Sequence, residues 1–393
     1  MFGESGRRAF AMKILRATHT FNPEVGGPIE SVRQSTLALI KRGHEVTTIS
    51  LDAPDSPWIK TAPFPVQAVG PGRGSYAYTP ELTRWVARER TRFDVVIIHG
   101  IWQYTSFGIW RALHGTKTPY VIFPHGMLDP WFKRAYPLKH IKKLLYWPWG
   151  EYRVLRDAAA VLFTSEEERR VARQSFTPYH CREVVVNYGT AAPEIDWDKA
   201  RAEFFAKFPQ LGNKRFFLFL GRLHDKKGCD LLLRAFADFR KTNDEFFLLL
   251  AGPCADQDYL AKLKSLARES VLFGGMLTGN LKWGALTAAD AFVLPSHQEN
   301  FGIAVVEALA SSTPVLISTK INIWREIIED GAGFADDDSA EGMLRLLEKW
   351  KTTPPEERAK MRERTRDCFT RRFEIERATD SLLRVLTDVS RAP

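Results

Sequence analysis

Runs such as "DVVIIH" (94–99), "RFFLFL" (215–220) and "FFLLLA" (246–251) set large apolar residues side by side with almost no polar alternation. A strand with one wet face alternates. An unbroken run is covered on both faces, which is the habit of parallel sheets flanked by helices. "MKILRAT", "HEVTTIS", "YVIFPH", "AVLFTS" and "EVVVN" extend the series in the first half, and "AFVLPS" and "PVLIS" in the second. Helical patterns stand between them, from about Pro28 to Lys41 and over "CDLLLRAFADFR", "DYLAKLKSLA" and "IAVVEALA". Strand and helix in alternation imply right-handed crossovers and an open, doubly wound α/β fold.

The 393 residues exceed one ordinary core, so two domains are expected. The alternation weakens from Thr190 to Lys214, where prolines and charges replace apolar runs. A linker there predicts two Rossmann-like halves, residues 1–192 and 193–372, with a cleft between them. In such sheets ligands sit beyond the carboxyl ends of the strands, so candidate chemistry is sought there.

No apolar run approaches the roughly 20 residues of a spanning helix. The start, "MFGESGRRAFAMKIL", has arginines but no apolar signal core, which predicts a cytoplasmic chain with a short extension and Met12 as an alternative start. Cys181, Cys229, Cys254 and Cys368 are widely spaced, giving neither a zinc pattern nor a disulfide framework. The net charge of +9 suits an anionic substrate, a nucleic acid or an acidic membrane surface alike.

Four segments carry candidate chemistry. "GRLHDKKG" (221–228) follows a strand and precedes a helix, so Arg222 and Lys227 could clamp one diphosphate, a planar fork beside a point charge. The bland alternative is a βα turn with solvated cations. In "HTFNPEVGGPIE", Gly26 and Gly27 would let backbone amides approach a ligand before a helix begins. His99 and His125 each follow a strand, where a structural role competes with ligand contact. "SHQENFGIAVVEALA" (296–310) runs from a turn into an apolar helix. The helix end offers free amides around Asn300, Phe301, Gly302 and Ile303. Glu299 in the turn could accept bonds from ligand hydroxyls. Glu307 on the buried helix needs a partner, either a cation in a structural salt bridge or a diol such as a ribose.

No P-loop or G-x-G-x-x-G fingerprint occurs. Three Asp-x-Asp triplets exist, at Asp196, Asp256 and Asp336. None is expected directly after a strand end, and the first two fit helix starts. No metal site is therefore expected.

Taken together, "PEVGGP", "PHG", "GRLHDKKG" and "ENFGIAVVE" resemble the retaining GT-B glycosyltransferases of family 4, including the E-x7-E pattern of Glu299 and Glu307. The similarity runs from "MKILRATHTF" to "RRFEIERATDSLLRVL". It implies two Rossmann-like domains, an acceptor held by the first and a nucleotide-sugar donor (UDP- or GDP-linked) by the second. The closing segment, about 373–393, would cross back onto the first domain. Arg222 and Lys227 would neutralise the leaving diphosphate, Glu299 would hold sugar hydroxyls and Glu307 the ribose. His125 would meet the donor sugar, and the loop of Gly26 and Gly27 would close over the phosphates. Transfer would proceed with retention, without metal or cofactor, in assembly of cell-envelope polysaccharide or lipid-linked oligosaccharide. Two departures stand out. Asn300 occupies a position often held by Gly and would tolerate a left-handed backbone, and "SSTPV" lacks the Gly usual before that proline.

"PWFKRAYPLKHIKKLLYWPWGEYR" (130–153) interleaves cations with aromatics. That suits an anionic membrane surface and a lipid-linked saccharide acceptor, and equally a packed helix with one solvated basic face. A GT-B epimerase or sugar phosphorylase shares the architecture. A nucleic-acid-binding protein would use the same basic surface, but no recognised module is present and the carboxylates disfavour phosphate backbones.

Overall fold

A computed structural model describes residues 11–23, 27–212 and 214–391. The chain divides into two compact units, one built from residues up to Asn187 together with those from Ala378 onward, the other from Tyr188–Arg377. The division thus precedes the expected boundary after residue 192.

In the first unit, seven parallel strands lie in the order β3-β2-β1-β4-β5-β6-β7. They are β1 (Lys13–Thr18), β2 (Glu45–Ser50), β3 (Val66–Ala68), β4 (Val95–His99), β5 (Tyr120–Phe123), β6 (Ala160–Phe163) and β7 (Glu183–Val185). Every residue of β4, β5 and β6 is buried, as the unbroken apolar runs require. The last described helix is Ile375–Arg391. From Ala378 it belongs to this unit, where Ser381 Oγ accepts the Asn187 amide at 3.2 Å.

The second unit holds six parallel strands in the order β10-β9-β8-β11-β12-β13: β8 (Arg215–Leu220), β9 (Phe246–Ala251), β10 (Val271–Gly275), β11 (Ala291–Leu294), β12 (Val315–Ser318) and β13 (Gly333–Asp336). Phe217 and Phe246, on β8 and β9, stack with centroids 5.0 Å apart inside an aromatic-rich core. The segment expected to be a linker is built into this unit. It contains the helix Trp197–Lys207, whose backbone runs so close to Gly284 that a Cβ there would lie 2.1 Å from the Ala200 oxygen. Its periodicity was hidden because cations and prolines flank a face that buries only Ala200 and Phe204.

Two of the Asp-x-Asp triplets cap helices. Asp196 accepts from the Lys199 amide and Asp256 from the Tyr259 amide, each at 3.0 Å. The third departs from expectation, because Asp336 closes β13. Its carboxylate is taken by Arg345 at 2.6 Å, and Asp338 by His297 at 2.8 Å. Among the described residues no cluster of His, Cys, Asp and Glu is arranged to hold a metal ion, and no helix is long and apolar enough to cross a membrane.

Candidate functional site

In both sheets the strand order reverses beside the first strand of the unit, between β1 and β4 and between β8 and β11. Loops leaving the carboxyl ends at such a reversal diverge and leave room for a ligand. Of the sequence-predicted residues, Arg222, Lys227 and Glu299 fall on such loops in the second unit, while His99 ends β4, His125 follows β5 and Glu307 lies on the helix Ile303–Ala310.

In the second unit, the loop after β8 carries Arg222 and Lys227 and the turn after β11 carries Glu299. The two are joined by main chain, since the His297 amide donates to the Lys226 carbonyl at 2.9 Å. Gly228 makes the approach possible. It has φ +66, and a Cβ on it would stand 2.5 Å from the Pro295 oxygen. Across this junction Lys227 Nζ pairs directly with the Glu299 carboxylate. Burial would push that carboxyl up, but Lys227, Lys226 and Arg222 outweigh it and hold it below the ordinary glutamate value. Lys226 was not singled out from sequence, although the doubled lysine of "DKK" was the signal.

The turn then enters the helix Ile303–Ala310 through Gly302, whose φ is +73. No side chain caps this helix, so its first amides remain available as donors. The left-handed residue is thus Gly302. Asn300 is not among the positive-φ residues, and its side-chain oxygen accepts from Asn322 at 3.3 Å. Phe301 presents its backbone to the turn while its ring is buried against Tyr188 and Phe373. Glu307 has the partner that burial demanded: Lys282 Nζ, on the helix Gly279–Ala288, donates to Oε1 at 2.7 Å. At the head of the turn, the Ser296 hydroxyl is fully buried and lacks a hydrogen-bond partner. Farther along, Ser312 supplies the left-handed residue (φ +55) before Pro314, in the segment that lacks the usual glycine.

In the first unit, Gly27 opens the helix Gly27–Lys41, and Gly26 lies outside the described residues. His99 ends β4 and His125 follows β5. Their rings stack at 5.2 Å and are joined by a 2.9 Å bond between His99 Nδ1 and His125 Nε2. Behind them lies Arg16 of β1, almost wholly buried. It reaches His99 Nε2 from Nε at 3.3 Å and from Nη2 at 2.9 Å, and donates to Ser35 Oγ and Thr36 Oγ1 at 2.8 and 3.1 Å.

A guanidinium only donates, so His99 Nε2 must accept and its proton sits on Nδ1. His125 Nε2 then accepts, which leaves His125 neutral with its proton on Nδ1. Burial agrees with this assignment. It holds His99 well below its ordinary range, and Arg16 and His125 add to the effect. His125 is lowered to about 3, by burial and then by Arg16. The loop is also strained at His125, a non-glycine residue with φ +51, while Gly126 beside it takes a positive φ without penalty. Buried Glu168 holds it, accepting the Gly126 amide at 2.6 Å through Oε1 and the Thr164 amide at 2.7 Å through Oε2. Arg16 and Glu168 were missed in the sequence. The available signal was a cation inside a run that is otherwise buried strand.

Residues 200–367 match the model described as "Glycosyl transferases group 1" and residues 26–189 that of "Glycosyl transferase 4-like domain". The chain is 27% identical over 326 residues to alpha-monoglucosyldiacylglycerol synthase of Streptococcus pneumoniae, covering 78% of this chain and 70% of the relative. It is 25% identical over 371 residues to the glycosyltransferase MJ1607 of Methanocaldococcus jannaschii, covering 86% and 90%. The crystal structure of Anabaena Alr3699/HepE in complex with UDP and glucose superposes with TM-score 0.74 at 16% identity, over 96% of this chain and all of that one.

Proposed function

Because the chain belongs to the group 1 glycosyl transferases, with a 4-like domain ahead of the group 1 domain, we propose that it moves a hexose from a UDP- or GDP-linked donor to an acceptor hydroxyl, with retention and without metal. The observation that carries this reading is the gathering of Arg222, Lys226 and Lys227 around one carboxylate, Glu299, next to a helix start with uncapped amides.

On this reading the donor diphosphate takes Lys227 and Arg222 away from Glu299, and Glu299 turns to hydroxyls of the transferred sugar. The bond from the anomeric carbon to the diphosphate oxygen breaks, and the acceptor oxygen bonds the same face of that carbon. The acceptor proton passes to a phosphate oxygen. The cations then act mainly on charge that develops as the leaving group departs, which is where binding energy becomes rate. The first amides of the helix Ile303–Ala310 meet the sugar or phosphate, and Glu307, oriented by Lys282, receives the ribose diol. His125, fixed as the Nδ1–H tautomer, is a hydrogen-bond donor suited to a sugar hydroxyl. The glycolipid named in the Streptococcus relative and the UDP and glucose of the Anabaena complex favour a UDP-hexose and a lipid-linked acceptor at an anionic membrane surface in cell-envelope synthesis.

The test is release of nucleoside diphosphate from UDP- and GDP-hexoses, with and without membrane lipid extract, in excess EDTA, followed by assignment of the new anomeric linkage. Release that depends on extract, with the donor's anomeric configuration kept, is expected. Inversion would overturn retention, and loss in EDTA restored by manganese would overturn metal independence. Sugar interconversion without an acceptor would make the chain an epimerase, and dependence on phosphate a phosphorylase.

A further inference from the structure

The helix Pro137–Tyr146 presents three faces to three environments. His140 is buried. Leu138, Ile141 and Leu145 recur at helical spacing and are 77%, 54% and 75% exposed, with Trp149 just beyond at 68%. An apolar row this open is not part of a core. Lys133, Arg134, Lys139 and Lys142 stand exposed around it.

The remaining face, with Lys142, Lys143 and Tyr146, lines a cavity of about 400 Å³ completed by Ser75, Tyr76 and Trp102. No carboxylate is among these lining residues. The cavity is built rather than incidental. Trp102 holds a left-handed backbone, φ +72, unusual for a bulky residue. Its amide donates to Glu151 Oε1 at 2.9 Å and its indole N–H to the Met127 carbonyl at 3.2 Å. Lys143 Nζ lies over its ring, 4.5 Å from the centroid, while the Tyr76 and Tyr146 hydroxyls meet at 2.6 Å. Beneath this group Glu151 is fully buried, and its Oε2 has no hydrogen-bond partner.

We propose that this pocket receives the head group of an anionic membrane lipid, with its polyol or sugar portion against the aromatic side chains and its phosphate at Lys142 and Lys143, while Leu138, Ile141 and Leu145 enter the acyl layer. One helix thus sets the anchor beside the recognition site. The inference rests on the transferase reading and deepens it by naming the acceptor class. Charge complementarity selects the occupant, because cations fringe both the apolar row and the pocket, as an anionic leaflet requires.

The experiment needs no nucleotide sugar, so it stands or falls separately from transfer. The full chain is sedimented with phosphatidylcholine vesicles with and without phosphatidylglycerol. Binding only to the latter is expected. The exposed-row variant Leu138→Ser/Ile141→Ser/Leu145→Ser should lose at least about tenfold in partitioning, and Lys142→Gln/Lys143→Gln about fivefold per cation. Thermal protection by a monomeric short-chain phosphatidylglycerol, absent with inorganic phosphate and weakened in Tyr146→Phe/Lys143→Gln, locates the head group in the pocket. Equal sedimentation with both vesicle types, or unchanged sedimentation of the exposed-row variant, overturns the proposal. So does equal protection by phosphate alone, which would assign the cations to a free anion. A concentration-dependent dimer that disperses in the exposed-row variant would give the apolar face to a second copy and overturn it as well.

Discussion

Replacing His99 with phenylalanine keeps the ring that stacks on Phe123 at 5.3 Å and removes both of its nitrogens. Arg16 loses the acceptor shared by its Nε and Nη2, and keeps Ser35 and Thr36. A hydrogen bond to a charged group is worth about 1.5–3 kcal/mol, and counting the shared acceptor once gives a destabilisation of that size in urea unfolding. The donor that fixes His125 also disappears, so its ring nitrogens in a nitrogen-15 spectrum should pass from one tautomer to a mixture. His99→Gln, with one oxygen to accept and one N–H to donate, should restore much of both. The sign with pH follows from depressed imidazole pKa values. Between the unfolded value of about 6.5 and the folded value of about 3 for His125, the unfolded chain binds more protons. The contribution is therefore complete above pH 6.5 and is lost as pH falls through this window. His99→Phe carries one such group fewer and should show a shallower acid slope than wild type. A wild-type urea midpoint in His99→Phe, or an unchanged His125 tautomer, would refute the chain of bonds from Arg16.

Ser312→Gly should raise stability by about 0.5–1 kcal/mol, since the left-handed penalty of about 1–2 kcal/mol exceeds the entropy glycine adds to the unfolded state; equilibrium unfolding decides it. Gly302→Ala should cost about 1–2 kcal/mol and disturb the turn, because its Cβ would meet Val305 Cγ2 at 3.2 Å and Glu299 Cγ at 3.3 Å; unfolding and thermal shift with a nucleotide sugar read the two effects. Arg222→Ala and Lys227→Ala should each lower kcat/KM by at least about tenfold with a fall in kcat. Wild-type kinetics at saturating donor would remove the diphosphate clamp.

Sequence patterning located every interior strand of both sheets and one edge, β7. The three it missed, β3, β10 and β13, are the other sheet edges. An edge needs fewer apolar residues, and "VLFGG" and "GFAD" spend theirs on glycines and a terminal aspartate. The loops with Lys227 and Glu299 were legible because glycine and charge cluster after apolar runs. The bond between His99 and His125 was not, because each histidine is unremarkable in its own stretch of sequence, at the end of β4 or just after β5. Only the lateral register, with Arg16 opposite Ile97 and His99 opposite Phe123, brings the three side chains together. Register between non-adjacent segments is set by packing rather than by local pattern. Lys282 was invisible as the partner of Glu307 for the same reason.

The junction between the loops after β8 and β11 is made of main chain, with the Lys226 carbonyl against the His297 amide and Gly228 against Pro295. Side-chain replacement at Lys226 or His297 leaves that bond in place, so either loop can be recoded position by position without parting the two. Transplantation behaves differently. A loop taken from a relative with one residue more or fewer before Gly228 would shift the carbonyl out of register with the amide, so engineers exchanging specificity should move both loops as a single cassette.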